Sequence, residues 1–246
     1  MLMSIIDGLR SAPAYPELAG KRVLISGLTS SCGVDIVRAF AEHKGRLVLQ
    51  FDEASEKAQV IAEIAAPAAL DIQAFGAVAA DAEAVTQFAR SVVQAYGGLD
   101  VVINLVPLSL AGLAPSATTA DVERVVAERL LRPCLLSKIA ANRMALAWTE
   151  GLILNVATLA PPVDGPARAF AAVVKTALAA MTRTQAEEWA GKAIRFNAIA
   201  PPTAQVPAEP SLAGEPQVAA LALYLASGRG KALSGHVFEA EPTRSD

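Results

Sequence analysis

The chain has 246 residues, of which 53% are hydrophobic and 18% charged, and its formal net charge is −3. This length suits one large domain with a substantial core. The charged residues do not form the basic stripe that nucleic-acid binding requires. No apolar run reaches the roughly 18 residues that span a bilayer. Two cysteines and two histidines are too few for a disulfide framework, a zinc centre or a serine–histidine–aspartate triad. Since Asp7 and Arg10 interrupt the only N-terminal apolar stretch, we expect no signal peptide and a cytoplasmic protein.

Short β-like runs alternate with longer helical patterns, which is typical of a parallel sheet with crossover helices. The predicted strands are residues 22–26, 46–51, 75–79, 101–104, 152–156, 194–198 and 236–240, and the predicted helices are residues 33–43, 54–65, 82–96, 119–147, 167–190 and 215–226. Continuous apolar runs at 101–103 and 152–154 indicate strands that are buried on both faces. We therefore predict one doubly wound, Rossmann-type α/β domain with a seven-stranded parallel sheet over residues 17–246. Residues 1–16 are predicted to be an N-terminal leader, in which Pro13 and Pro16 discourage a long helix.

The first predicted strand leads into the segment Gly27-Leu-Thr-Ser-Ser31-Cys-Gly33, which starts a helix. The spacing resembles the dinucleotide loop Thr-Gly-x-x-x-Gly-x-Gly of the short-chain dehydrogenase/reductase family. In such a loop the first glycine makes the turn, the middle one lets the backbone approach the pyrophosphate, and the last permits close helix packing. Gly27 and Gly33 keep the outer positions, but Ser31 replaces the middle glycine, and its Cβ would crowd the phosphates.

Three further departures from this family concern the rest of the nucleotide site. Phe51 stands where an acidic residue often binds the adenosine ribose, and Val78 stands at the adenine contact. Asn104 begins the turn Asn-Leu-Val-Pro, where the family usually has Asn-Asn-Ala-Gly. A helix N-terminus still offers its dipole to an anion, which leaves weak binding open. Together the four departures favour a disabled nucleotide site, and we expect this chain to bind no cofactor.

The catalytic half of the same family resembles the segment Leu-Ile-Leu-Asn-Val-Ala-Thr158, followed by Lys175. In the family a serine ends the strand, a tyrosine follows thirteen residues later and a lysine four after that. The resemblance implies that the phenol transfers the proton while hydride moves, its pKa lowered by the lysine ammonium. Here Thr158 replaces the serine, Ala171 the tyrosine and Arg129 an asparagine that anchors a water relay, and only Lys175 remains. Since Ala171 has no proton to donate, Lys175 is expected to lie along its helix with its head group paired locally.

The subunit interfaces that the resemblance implies are preserved, whereas the substrate lid is shortened. The position of a threonine that contacts nicotinamide in the family falls on Val206, in a connection roughly a dozen residues shorter than the usual lid. The helices over 119–147 and 167–190 and the C-terminal strand, which form subunit contacts in the family, remain. We therefore predict a non-catalytic subunit that joins a catalytically intact short-chain dehydrogenase paralogue in a heterotetramer, with NAD in the partner subunit. The combination resembles the inactive subunit of a two-component dehydrogenase that oxidises a hydroxyacyl-CoA in toluene degradation.

Two alternatives stay open from the sequence. One is an active oxidoreductase that uses Lys175 or Thr158 for acid–base chemistry, which requires a strongly depressed lysine pKa. The other is a regulatory Rossmann module that senses a ligand in the vestigial cleft.

Overall fold

A computed structural model describes residues 14–30, 32–52, 56–107, 118–158, 165–200 and 215–239. Seven parallel strands form one sheet in the order β3-β2-β1-β4-β5-β6-β7. The strands are β1 (Arg22–Leu28), β2 (Arg46–Phe51), β3 (Asp71–Phe75), β4 (Val101–Pro107), β5 (Gly151–Thr158), β6 (Ile194–Ala200) and β7 (Val237–Glu239). The strand order reverses between β1 and β4, so the predicted doubly wound, seven-stranded parallel architecture is confirmed.

Helices cover both faces of this sheet. They are α1 (Val34–Glu42), α2 (Glu56–Ala65), α3 (Ala82–Tyr96), α4 (Thr119–Val126), α5 (Arg132–Leu146), α6 (Gly165–Trp189) and α7 (Glu215–Ala226). Apolar residues of α1, α2 and α7 pack in one core cluster, and those of α3, α5 and the end of α6 pack in another. Over the described ranges no helix is long and apolar enough to cross a membrane.

The central strands are buried on both faces, as the continuous apolar runs predict. Along β4, Val101 and Ile103 pack in the cluster beneath α1 and α7, while Val102 between them packs in the cluster beneath α3 and α5. This alternation follows from the two-residue side-chain period of a strand. The C-terminal ends of β1, β4 and β5 therefore sit on a rigid support, and they carry the residues of the candidate site.

One predicted strand is displaced. The apolar run at 75–79 predicts a strand there, but β3 is Asp71–Phe75, which pairs with residues 46–50 of β2. The strand lies at the sheet edge and none of its five residues is buried, so polar residues are tolerated on it. Backbone pairing to β2, rather than apolar content, sets this register.

The predicted helix over 119–147 is divided. It starts where the sequence predicts, because the side chains of Thr118 and Asp121 cap its N-terminus reciprocally. A π-helical turn, Ala127–Leu131, then separates α4 from α5. Pro133 near the start of α5 has no N–H to donate to the carbonyl of Arg129 four residues earlier, so the regular hydrogen-bond ladder is interrupted at this point.

The end of the predicted leader contacts the domain. The Tyr15 ring lies 5.9 Å from the His43 ring, and the Arg229 guanidinium lies 5.5 Å from the centre of the Tyr15 ring. A short 3₁₀ turn, Pro16–Leu18, follows and buries Leu18 in the core. Tyr15 therefore packs against the domain, while residues 1–13 lie outside the described part of the chain.

Candidate functional site

The two outer glycines of the cradle are required by the backbone itself. Gly27 has φ +79°, and a Cβ built on it would overlap the carbonyl oxygen of Leu105 on β4. Gly33 has φ +93°, and its Cβ would lie 2.5 Å from side-chain carbons of both Leu28 and Leu105. Both positions combine a left-handed backbone with close packing, so the fold itself requires glycine there, whether or not a ligand binds. Ser31, the altered middle position, lies outside the described residues.

A polar bridge spans the place where the resemblance puts the adenosine. Arg132, the first residue of α5, donates from Nη2 to Asp52 Oδ2 at 2.7 Å and from Nη1 to the Val78 carbonyl at 3.2 Å. The Asp52 and Arg132 side chains are 19% and 15% exposed. Gln50 lies beneath them, where it accepts a hydrogen bond from the Gly27 N–H at 2.9 Å and donates to Asp52 Oδ1 at 3.2 Å. The chain's own side chains thus connect β1, β2, the loop after β3 and α5.

Little space remains under this bridge. Phe51, at the predicted ribose position, is only 3% exposed and packs in the core. The cavity lined by Gly27, Gln50, Val78 and Arg132 has a volume of about 20 Å³, which is roughly the room that one water molecule needs. This cavity is too small for an adenine ring.

Asn104 serves the sheet rather than the cleft. It is 1% exposed, accepts from Ser26 Oγ at 2.9 Å, and donates from Nδ2 to Ser137 Oγ and to Asn155 Oδ1, both at 2.9 Å. These contacts tie β4 to β1, β5 and α5. A buried amide with its hydrogen bonds satisfied is a structural element, and its carbonyl and amide groups are already engaged.

The Thr158 hydroxyl faces the cradle loop. Thr158 ends β5 beside Pro107 of β4, is 8% exposed, and lies near enough to the Cys32 thiol to act on its pKa. Burial raises the pKa of Cys32 to about 12, aided by the negative charges of Glu215 and Asp52 and only partly opposed by Thr158. The thiol is therefore protonated at neutral pH and is a poor nucleophile.

Ala171 and Lys175 lie one turn apart on α6, as the predicted register requires. Ala171 is 1% exposed and packs with Val106, Ala157 and Val174. Its methyl group therefore meets the ends of β4 and β5, where the family has a phenol. The Lys175 ammonium forms an ion pair with Glu239 Oε1 on β7 at 2.8 Å. Local spacing along α6 does not predict this pair, because Glu239 lies 64 positions further along the chain.

Arg129 lies in the π-helical turn at the position of the relay asparagine. Its Nε is buried without a hydrogen-bond partner among the described residues. Burial lowers the pKa of Arg129, and the negative charges of Glu128 and Asp52 act against this effect. Its charge remains on the guanidinium at neutral pH, and the side chain adds a cation to the cleft where the family has a neutral amide.

The comparisons with known proteins match nearly the whole domain. The short chain dehydrogenase family model matches residues 21–227. The chain belongs to this family of oxidoreductases. An uncharacterised oxidoreductase of Thermotoga maritima is 31% identical over 189 residues, which cover 76% of this chain and 72% of the relative.

Two further similar proteins are a reductase and a dehydrogenase whose structure contains NADP. A 3-oxoacyl-[acyl-carrier-protein] reductase of Staphylococcus aureus is 26% identical over 181 residues, covering 74% of this chain and 73% of the relative. Among solved structures, a short chain dehydrogenase of Burkholderia cenocepacia in complex with NADP superposes with a TM-score of 0.75 at 23% identity, covering 92% of this chain and 98% of that one. At this identity the superposition establishes the fold alone.

Three residues of the site were not found from the sequence. Gln50 and Arg132 form the bridge, and Glu215, the first residue of α7, accepts a hydrogen bond from the Asp35 N–H of α1 at 2.8 Å. The partners of Arg132 and Glu215 lie 80 and 180 positions away along the chain. Local spacing carries no signal for such pairs. The threonine position of the lid, Val206, lies outside the described residues.

Proposed function

We propose that this chain is a non-catalytic subunit of a heteromeric, NAD-dependent short-chain dehydrogenase. The observation that carries the proposal is the buried methyl group of Ala171 at the position of the proton donor, with Lys175 paired to Glu239. Proton transfer requires an ionisable group at the substrate oxygen, and Ala171 has none. In this proposal NAD and the reacting groups belong to the paralogous partner subunit.

An apolar groove supports the proposed assembly. It has a volume of about 450 Å³, and it is lined by Thr119, Glu123, Val126, Ala127, Leu130, Leu131, Cys134 and Met181. These residues lie on α4, the π-helical turn, α5 and α6, which are the helices proposed to contact the partner. Leu131 is 56% exposed and Val126 is 40% exposed. Burying such side chains against a partner would contribute favourable apolar contact.

The proposed substrate of the assembly is a hydroxyacyl-CoA of aromatic catabolism, with 2-[hydroxy(phenyl)methyl]succinyl-CoA of anaerobic toluene degradation as the specific candidate. This proposal rests on the resemblance to the inactive subunit of the two-component enzyme. The 3-oxoacyl reductase among the relatives supports the broader class, because its substrate is also an acyl thioester.

Expression of the full chain alone and together with its intact paralogue tests the proposal. We expect the chain alone to show no NAD-dependent oxidation of the hydroxyacyl-CoA, and the pair to form one complex that is active. Lys175→Ala in this chain should leave kcat of the complex unchanged. Turnover by the chain alone at the rate of the complex would refute the non-catalytic role.

The same variant separates the non-catalytic role from the active oxidoreductase. If Lys175→Ala abolishes activity while the complex keeps its mass, Lys175 is an acid–base residue and the chain is an active oxidoreductase. The ion pair of Lys175 with Glu239 argues against this outcome, because it engages the ammonium with a carboxylate of β7.

A further inference from the structure

The N-terminus of α1 already holds an anion from the chain itself. Glu215 Oε1 accepts from the Asp35 N–H at 2.8 Å, and the backbone N–H of Gly33 is near enough to act on the pKa of the carboxyl group. α1 has no capping side chain of its own at Gly33. The first N–H groups of a helix lack partners within it and attract negative charge. A carboxylate from α7 therefore lies at the helix end that presents N–H groups to phosphate in dinucleotide-binding folds.

The carboxylate is held in place by its surroundings. Glu215 is the first residue of α7, and both α7 and α1 pack in the same core cluster. Burial raises the pKa of Glu215 and the nearby Asp35 carboxylate acts in the same direction, while the backbone N–H groups of Asp35 and Gly33 oppose them. A second anion at this helix end would meet the charge of Glu215 at close range, in a partly buried setting where repulsion is strong.

The other end of the cradle is filled as well. Arg132 is fixed between Asp52 and the Val78 carbonyl, and the cavity beneath it has a volume of only about 20 Å³. The bridge contains one positive and one negative side chain, so it neutralises itself without a ligand. At the two ends of the groove, Glu215 and Arg132 thus have hydrogen-bond partners within the chain.

We propose that Glu215 and Arg132 are internal stand-ins for a dinucleotide, Glu215 for the pyrophosphate and Arg132, with Asp52, for the adenosine. This inference rests on the proposed non-catalytic role and assigns residues to the exclusion of the cofactor. The two side chains exclude the dinucleotide by occupying the groove, and their removal should restore binding. Removing Glu215 opens an anion site at the N-terminus of α1, and removing Arg132 opens the adenosine end.

Titration calorimetry on the full chain with inorganic pyrophosphate and with NAD tests this. We expect no binding to the unaltered chain, and pyrophosphate binding to Glu215→Ala that is at least about tenfold tighter. The matched control is Glu150→Ala, which removes an exposed carboxylate paired with Lys231 at the start of β5. The double variant Glu215→Ala/Arg132→Ala should bind NAD at least about tenfold tighter than Glu215→Ala does.

The possible failures are distinguishable. If the unaltered chain binds NAD, both the inference and the cofactor part of the proposed function are wrong. If it binds neither probe and the folded variants also bind neither, only the occupation of the groove is refuted. Should Glu215→Ala fail to fold by circular dichroism, Glu215→Gln keeps an oxygen acceptor and removes only the charge. It should then bind pyrophosphate more tightly than Glu150→Gln does, and equal affinity of these two would refute the inference.

Discussion

Gly27 tests whether the surviving glycines of the cradle serve the fold or a ligand. An alanine at this position would hold a left-handed backbone, φ +79°, which costs an L-residue about 1–2 kcal/mol. Its Cβ would also overlap the Leu105 carbonyl oxygen, and relieving such crowding in a packed core costs about 1–3 kcal/mol. We therefore expect Gly27→Ala to lower the free energy of unfolding by about 3 kcal/mol in the absence of any nucleotide.

Two other glycines supply matched controls. Gly20 has nearly the same φ, +76°, with nothing within 4 Å of its built Cβ, so Gly20→Ala measures the backbone cost alone, about 1 kcal/mol. Gly76 has open space and no left-handed φ, so Gly76→Ala should change stability by less than about 0.5 kcal/mol. An unfolding entropy of about 2.1 cal/mol/K per residue over 246 residues converts 3 kcal/mol into a Tm loss of about 6 °C.

Urea unfolding of the three variants, with thermal melts as a second measurement, gives the comparison. The excess cost of Gly27→Ala over Gly20→Ala isolates the close approach to β4. If the two variants lose equal stability, Leu105 yields to a Cβ without cost. The glycine would then be needed for another reason, such as a bound ligand, and the close approach of β4 would not require it.

Other predictions concern charge, backbone and assembly. Burial raises the pKa of Asp100, but hydrogen bonds from Arg22, at 2.8 Å from both N and Nε, outweigh it and leave the pKa lowered. In urea unfolding at pH 7, Asp100→Asn should lose about 1.5–3 kcal/mol. That loss should shrink as the pH falls below the unfolded pKa of about 3.8. A carboxyl group whose pKa is lowered by folding stabilises the fold fully above the unfolded pKa, and this contribution disappears as the pH falls through the folded pKa. Ala193→Gly, at φ +55°, should raise the unfolding free energy by about 1 kcal/mol, and an unchanged denaturation midpoint would contradict this. Leu131→Glu, in the apolar groove, should keep the melting temperature of the chain and abolish co-purification with the paralogue.

The sequence predicts the sheet well because its signals are local. Burial is predicted by the short apolar runs of β4 and β5, and the backbone turn is predicted by the glycine at the end of β1. The edge strand is misplaced because β3 is held by pairing to β2, which an apolar pattern does not report. The π-helical turn is missed because Pro133 lies inside an otherwise periodic segment.

The candidate site also contains residues that the sequence predicts and contacts that it does not predict. The register of Thr158, Ala171 and Lys175 follows from counting along the chain, and the structure places these residues at the ends of β5 and along α6. What fills the cleft does not follow from counting. The contacts of Arg132 and Glu215 join residues 80 and 180 positions apart, and they become visible only once the sheet brings the helix ends together.

The pattern of kept and altered positions follows packing rather than chemistry. Gly27 has a steric reason to stay, since the carbonyl of Leu105 leaves no room for a Cβ. Asn104 has a hydrogen-bonding reason, since it serves three buried partners. Lys175 keeps its place with an ion pair to β7, whereas Ala171, whose family counterpart acts only in the reaction, fits as a small apolar residue. Retention of the positions that have structural partners, beside an alanine at the proton-donor position, agrees with the proposed non-catalytic role. In the proposed assembly, substitutions on α4, α5 and α6 should therefore impair function more than substitutions in the cleft.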